Sequence, residues 1–157
     1  MSPQKVRIVV AIVVALIVIV AVVVAGQKPS QRDDYSLHLT IHVEQASLAD
    51  GKCIAHVGTN ETFQDGDEVE VTDDDGNTWT STLAQTDKGG ACEFGATVKD
   101  VQSNVRDRYV TLNGGTTAFV FQPSYDNSGN VCDVGITATL TQGDIWGPES
   151  YKQQDEC

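Results

Sequence analysis

Leu37-His38-Leu39-Thr40-Ile41-His42-Val43-Glu44 is the stretch that decides the fold. Leu37, Leu39, Ile41 and Val43 alternate with His38, Thr40, His42 and Glu44. Successive side chains of a β-strand point to opposite faces, so a period of two places all four apolar residues on one side. The stretch predicts a half-buried strand with its aliphatic face inward. The same signature recurs downstream. Val69 and Val71 alternate with Glu68 and Glu70, and Asp73-Asp74-Asp75-Gly76-Asn77 then turns the chain into a return strand carrying Trp79, Ser81 and Leu83. Asp-Gly between β-rich runs marks a hairpin, because Gly accepts positive φ at no steric cost. Cys92, Phe94, Ala96 and Val98 share one face of a further strand. Tyr109–Leu112 enters an Asn113-Gly114-Gly115 turn, Ala118–Phe121 returns and Pro123 stops it. Val134, Ile136, Ala138 and Leu140 alternate once more. Beyond residue 34 no segment sustains a helical period over three turns. Seven to eight short strands separated by Gly, Asn and Asp turns predict an all-β fold, an antiparallel β-sandwich.

Upstream of this domain the chain changes character. Ile8 to Ala25 is a run of eighteen apolar residues without Gly, Pro or a charge. As a helix it extends ~27 Å, close to the ~30 Å hydrocarbon core of a bilayer. A helix satisfies its backbone amides internally, so the middling helix propensity of Val and Ile matters little in lipid. The reading is a cytoplasmic N-terminus over 1–7, a transmembrane anchor over 8–25, a polar linker over 26–34 containing Pro29, and one extracytoplasmic domain over 35–157. The rival reading is a signal peptide cleaved after Val23-Val24-Ala25 and a secreted domain, although a signal's apolar region is ordinarily shorter. Both readings export the domain.

All 22 acidic residues lie at or beyond Asp33, against six Lys and Arg there, so the exported part carries a net charge of −16. Such a surface opposes nucleic acid and anionic lipid headgroups and favours solubility. The four cysteines, Cys53, Cys92, Cys132 and Cys157, all lie in this part. An even count in an exported domain points to two disulfides. Three pairings are possible, and Cys53–Cys92 with Cys132–Cys157 is favoured because each closes one local half of the domain. The second would tie Trp146–Glu156 back onto the fold.

Gly66-Asp67-Glu68-Val69-Glu70-Val71, Asp74-Asp75-Gly76, Leu83 and Gly89-Gly90-Ala91-Cys92-Glu93-Phe94 carry a likeness over about half of the domain, from Cys53 to Tyr109. The run resembles small exported actinobacterial proteins, mycobacterial ones among them, that lack an assigned activity. Their pattern has a Cys before a Gly-Thr/Asp-x-Val-x-Val strand, an Asp-x-x-Gly turn and a Cys-x-Phe strand. The resemblance implies that Cys53 pairs with Cys92, although Ile54-Ala55-His56 stands where a Gly-rich turn is expected. The strand-turn-strand part also resembles transthyretin-like and carboxypeptidase-regulatory sandwiches, which are binding or structural modules. The resemblance implies a fold and an envelope location, with no catalytic residues.

Residues with chemical potential are few. Asp73, Asp74 and Asp75 are the calcium candidates. A standard calcium loop counted from Asp73 requires Gly sixth and Glu twelfth, where Thr78 and Ala84 stand. His38 and His42 share a strand face but sit ~13 Å apart at ~3.3 Å per residue, too far for one ion. No Gly-x-Ser-x-Gly elbow occurs. Trp79 is expected to pack near a disulfide or to cap the core, and Trp146 is the candidate aromatic platform for a glycan or peptide. The resulting expectation is a membrane-tethered extracytoplasmic binding or structural module of the cell envelope. Its partner is an envelope protein or glycan, with no cofactor, no catalytic set and no nucleic acid. The alternatives are an envelope hydrolase assembled only in three dimensions and a calcium-stabilised surface module.

Overall fold

The structure, a computed structural model, describes residues 32–44, 47–49, 52–57, 61–88, 91–103, 106–115, 117–141 and 151–157. These belong to one compact unit, Arg32–Cys157. The apolar run 8–25, most of the linker and Trp146 lie outside the described residues. Among the described residues no helix is long and apolar enough to cross a membrane.

The fold is all-β. The opening stretch becomes β1 (Asp34–Glu44), where Tyr35, Leu37, Leu39, Ile41 and Val43 are buried and His38, Thr40 and His42 face out. Two long strands flank it, β8 (Ala91–Gln102) and β11 (Asp133–Thr141). Register sets Leu37, Leu39, Ile41 and Val43 beside Val98, Ala96, Phe94 and Cys92 on one side. On the other side they meet Val134, Ile136, Ala138 and Leu140. Each period-two pattern therefore buries the same face, and one aliphatic surface spans three strands. Burying each Leu, Ile or Phe in it contributes roughly 1.5–3 kcal/mol. Next to β8 lies β7 (Ala84–Lys88) and next to β11 lies β12 (Tyr151–Glu156), giving a five-stranded sheet in the order β12-β11-β1-β8-β7.

The four-stranded sheet runs β10 (Thr117–Phe121), β9 (Arg108–Leu112), β5 (Glu68–Asp73), β6 (Thr78–Thr82). The third sheet is β2 (Ser47–Ala49), β3 (Lys52–Val57), β4 (Glu61–Gln64). Buried residues of all three sheets join one core, including Val69, Val71, Val110 and Phe119 from the second and Ala55 and Phe63 from the third. Phe63 meets Phe94 edge-on, with ring centroids 5.1 Å apart.

Two expectations are corrected. The described residues form twelve strands instead of seven or eight. The sheet is also mixed, because β1 and β11 run parallel. A period of two fixes which face is buried and carries no information on the direction of the neighbouring strand. The extra strands are short or polar: β12 reads Tyr-Lys-Gln-Gln-Asp-Glu and buries almost nothing.

Both disulfides form as the local-closure argument expected, Cys53–Cys92 with Cα atoms 5.8 Å apart and Cys132–Cys157 at 4.7 Å. The first ties the small sheet to β8. The second ties the end of β12 to the residue before β11.

The Asp73–Asn77 turn has a structural twin in Asp126–Asn130. In each, the Asp Oδ1 accepts the amides two and four residues on, and its Oδ2 accepts the Asn side-chain amide. In each, a Gly holds positive φ, Gly76 at 83° and Gly129 at 84°. The Asn130 side chain and the loop amides hold the Asp126 carboxyl below its ordinary pKa of 3.8. Burial alone would raise Asp133, but the Ser36 amide and the Arg32 guanidinium outweigh it and hold that carboxyl low as well. A depressed folded-state pKa stabilises the fold above the unfolded value, and that contribution is lost as pH falls through the folded pKa. Urea midpoints should therefore fall below pH 3.8. Asp126→Asn should lose less of its midpoint than the parent between about pH 4 and about pH 2. Equal slopes would show that Asp126 carries no acid-side linkage.

Among the described residues Arg108 is the largest fully buried side chain. It sits at an inward position of β9, opposite Asp73, which is also buried. Its guanidinium donates to the carbonyls of Gln102, Arg106 and Asp107 and lies 5.8 Å from the Trp79 ring centroid. Trp79 is partly buried and packs on the core, the capping role expected of it. Nearby, burial pushes the Tyr35 phenol above its ordinary pKa, with the Arg108 charge acting in the opposite direction.

Candidate functional site

The outer face of the five-stranded sheet is built from the polar half of each alternation. From β1 it takes His38, Thr40 and His42, and from β8 Thr97, Gly95 and Glu93, which stand directly opposite them. From β7 it takes Ala84 and Thr86, opposite Gly95 and Glu93. A groove of about 440 Å³ lies on this face. Its polar lining is His38, Thr40, Thr82, Thr86 and Thr97, and Gly95 and Ala84 leave its floor low. No charged side chain among the described residues lines it, although the domain around it is strongly acidic.

The groove owes its edge to a corner in the chain. Between β6 and β7 the backbone passes from the four-stranded to the five-stranded sheet, and Leu83 is buried at the crossing. Leu83 donates to the Asp67 carbonyl at 2.8 Å and accepts from the Gly66 amide at 2.9 Å. Gly66 reaches that position with φ of 90°, a conformation open to Gly and strained for other residues. The corner brings Thr82 and Ala84, on either side of Leu83, into the lining of the groove.

Three polar contacts organise the face. His38 Nδ1 and Thr97 Oγ1 share a hydrogen bond of 3.2 Å within the groove wall. Farther along β1, His42 Nδ1 is 2.9 Å from Glu93 Oε2, and the Thr86 hydroxyl donates to Glu93 Oε1 at 2.8 Å. The Glu93 side chain is 9% exposed and that of His42 40%. A carboxylate held in this way orients the imidazole through Nδ1. That is the orienting half of a general-base pair. Among the described residues no Ser hydroxyl lines the groove. His56 lies exposed on β3, in a different sheet.

The three calcium candidates each have a donor. Asp73 turns inward onto the loop amides, Asp74 accepts from the Tyr109 hydroxyl at 3.0 Å, and Asp75 pairs with Arg106 at 2.7 Å. The hydrogen bond to Asp74 holds the Tyr109 phenol above its ordinary pKa. Among the described residues no three His, Cys, Asp or Glu side chains are grouped to hold a metal ion. Sequence reading identified His38 and His42 on one strand face but missed Glu93, Thr86, Thr97 and Gly95. The alternation of Glu93 and Gly95 with Phe94 signalled an outward face, while the register that sets them beside β1 has no local signature.

No protein-family model, no curated protein and no solved structure matches this chain.

Proposed function

We propose that the chain is a membrane-tethered extracytoplasmic binding module that holds an uncharged, polyhydroxylated ligand, a short glycan segment of the cell envelope, in the groove of the five-stranded sheet. The groove carries this reading. Five hydrogen-bonding side chains surround a floor of small residues without a charge among them. Such a lining matches a ligand that presents neutral hydroxyls and leaves an ionic ligand uncompensated. Its volume falls in the lower part of the ~300–1,000 Å³ range of small-molecule sites.

In this reading the sheets pack as a β-sandwich, residues 8–25 anchor it and 26–34 lift it from the bilayer. Two formed cystines support an oxidising compartment. The actinobacterial resemblance of Cys53–Tyr109 supports an envelope setting.

Gly95→Val tests the site. A Cβ at Gly95 meets only the Leu39 carbonyl, at 3.8 Å, so the fold accepts the substitution while the branched side chain fills the floor. The parent should show amide shifts at Thr86, Gly95 and Thr97 on titration with at least one of cellotriose, maltotriose and chitotriose. Gly95→Val should lose them with its melting temperature retained. Binding that is unchanged in Gly95→Val, or no shift with any of the three, contradicts the groove assignment. The His42–Glu93 pair supports a hydrolase as the second reading. Cleavage of a bound oligosaccharide that disappears in His42→Ala would replace binding with turnover.

A further inference from the structure

β12 is held to the fold in three ways. It pairs with β11 over six register positions, from Asp133↔Glu156 to Ala138↔Tyr151. It laces onto β10, the edge strand of the other sheet. There the Tyr151 hydroxyl donates to the Val120 carbonyl at 2.8 Å and accepts from the Val120 amide at 3.3 Å. Gln153 Nε2 donates to the Gln122 carbonyl at 2.7 Å, and the Tyr151 and Phe119 rings meet edge-on at 5.1 Å. The third tie is the Cys132–Cys157 cystine. Apolar burial adds little, because Tyr151 alone in this strand is half-buried and Lys152–Glu156 are exposed. An edge strand with so little buried surface depends heavily on its covalent tie.

The two cystines differ in access. Cys53 and Cys92 are 2% and 4% exposed and both belong to the connected core. Cys132 is buried outside that connected cluster, and its partner Cys157 is exposed. Thiol–disulfide exchange requires a thiolate to reach one sulfur, and of the four cysteines only Cys157 is an exposed residue.

We propose that Cys132–Cys157 is a thiol-exchange site that a dithiol reductant opens while Cys53–Cys92 stays closed, and that opening it unlocks β12 from β11 and β10. The reductant thiolate attacks Cys157 Sγ and forms a mixed disulfide. The Cys132–Cys157 bond breaks, and its electron pair leaves on Cys132 Sγ, which takes a proton. The second thiolate of the reductant attacks the reductant's own sulfur in the mixed disulfide. That closes the reductant's disulfide and releases Cys157 Sγ, which takes the second proton. Two electrons pass from the dithiol to the cystine.

The full chain is titrated with dithiothreitol, quenched by alkylation and mapped by peptide mass, with amide exchange followed in parallel. Cys132 and Cys157 should be alkylated at about tenfold lower reductant than Cys53 and Cys92. In the same step, exchange at Val134–Ala138 and at Val120 should accelerate while Leu39 and Phe94 stay protected. The paired variant Cys132→Ser with Cys157→Ser should show the same exchange without reductant, and if it does not fold the titration still decides. Simultaneous opening, the reverse order, or unchanged exchange after Cys132 and Cys157 are alkylated overturns the proposal.

Discussion

Phe94→Ala should lower the unfolding free energy by about 3–5 kcal/mol, the range for truncating a buried aromatic. Phe94 is fully buried near the start of β8. It stands beside Ile41 of β1 and meets Phe63 of the small sheet edge-on. It therefore joins the five-stranded sheet to the small one. Truncation leaves a cavity among strands that backbone ladders hold at fixed spacing, so collapse around it is limited. Urea unfolding checks this. A loss below about 1 kcal/mol would mean that Phe94 is not a core residue.

Replacing Cys53 and Cys92 together by Ala should cost about 4 kcal/mol, the loop-entropy value for a separation of 39 residues. The melting temperature should fall by roughly 10–20 °C. The cystine joins the small sheet, which buries only Cys53, Ala55 and Phe63 of its described side chains, to the large one. Loss of the bond should therefore be felt first in β3 and β4, as faster amide exchange there than in β1. The Cys132–Cys157 cystine closes a separation of 25 and gives about 3.5 kcal/mol on the same relation, so the first pair should be the costlier loss. A double variant with an unchanged melting temperature would contradict this role.

These effects follow from residues whose burial could be read from the sequence. Leu37, Leu39, Ile41, Val43, Val69, Val71, Phe94, Ala96, Val98, Val134, Ile136, Ala138 and Leu140 are placed on inward faces by alternation, and all are buried. The hairpin at Asp73–Asn77 and the turn at Asn113-Gly114 carry their own local chemistry, which is why both were legible. Strand direction was not. The parallel pairing of β1 with β11 joins residues about a hundred positions apart, and nothing local in either strand encodes it.

Arg108 was missed for a different reason. Its position on β9 has the inward parity of Val110 and Leu112, but a guanidinium there contradicts the rule that inward residues are apolar. The carbonyls of Gln102, Arg106 and Asp107 and the face of Trp79 make the position tolerable, and these partners come from the end of β8, the loop before β9 and β6, so no local pattern announces them. The candidate groove was legible by halves. His38 and Thr40 announced a polar strand face, whereas the floor at Gly95 and the buried Glu93 beneath His42 exist only once register aligns β8 with β1.

We propose that a hydrophobic leading segment delivers a cystine-tied β domain to the outside of a membrane and keeps it there. Fractionation of cells expressing the full chain, with an impermeant thiol label applied before lysis and protease applied to intact spheroplasts, tests it most directly. The account predicts the chain in the membrane fraction, both cystines closed, and the domain from Arg32 onward removed by external protease. Recovery of the intact chain from the cytosol with four reactive thiols would contradict it.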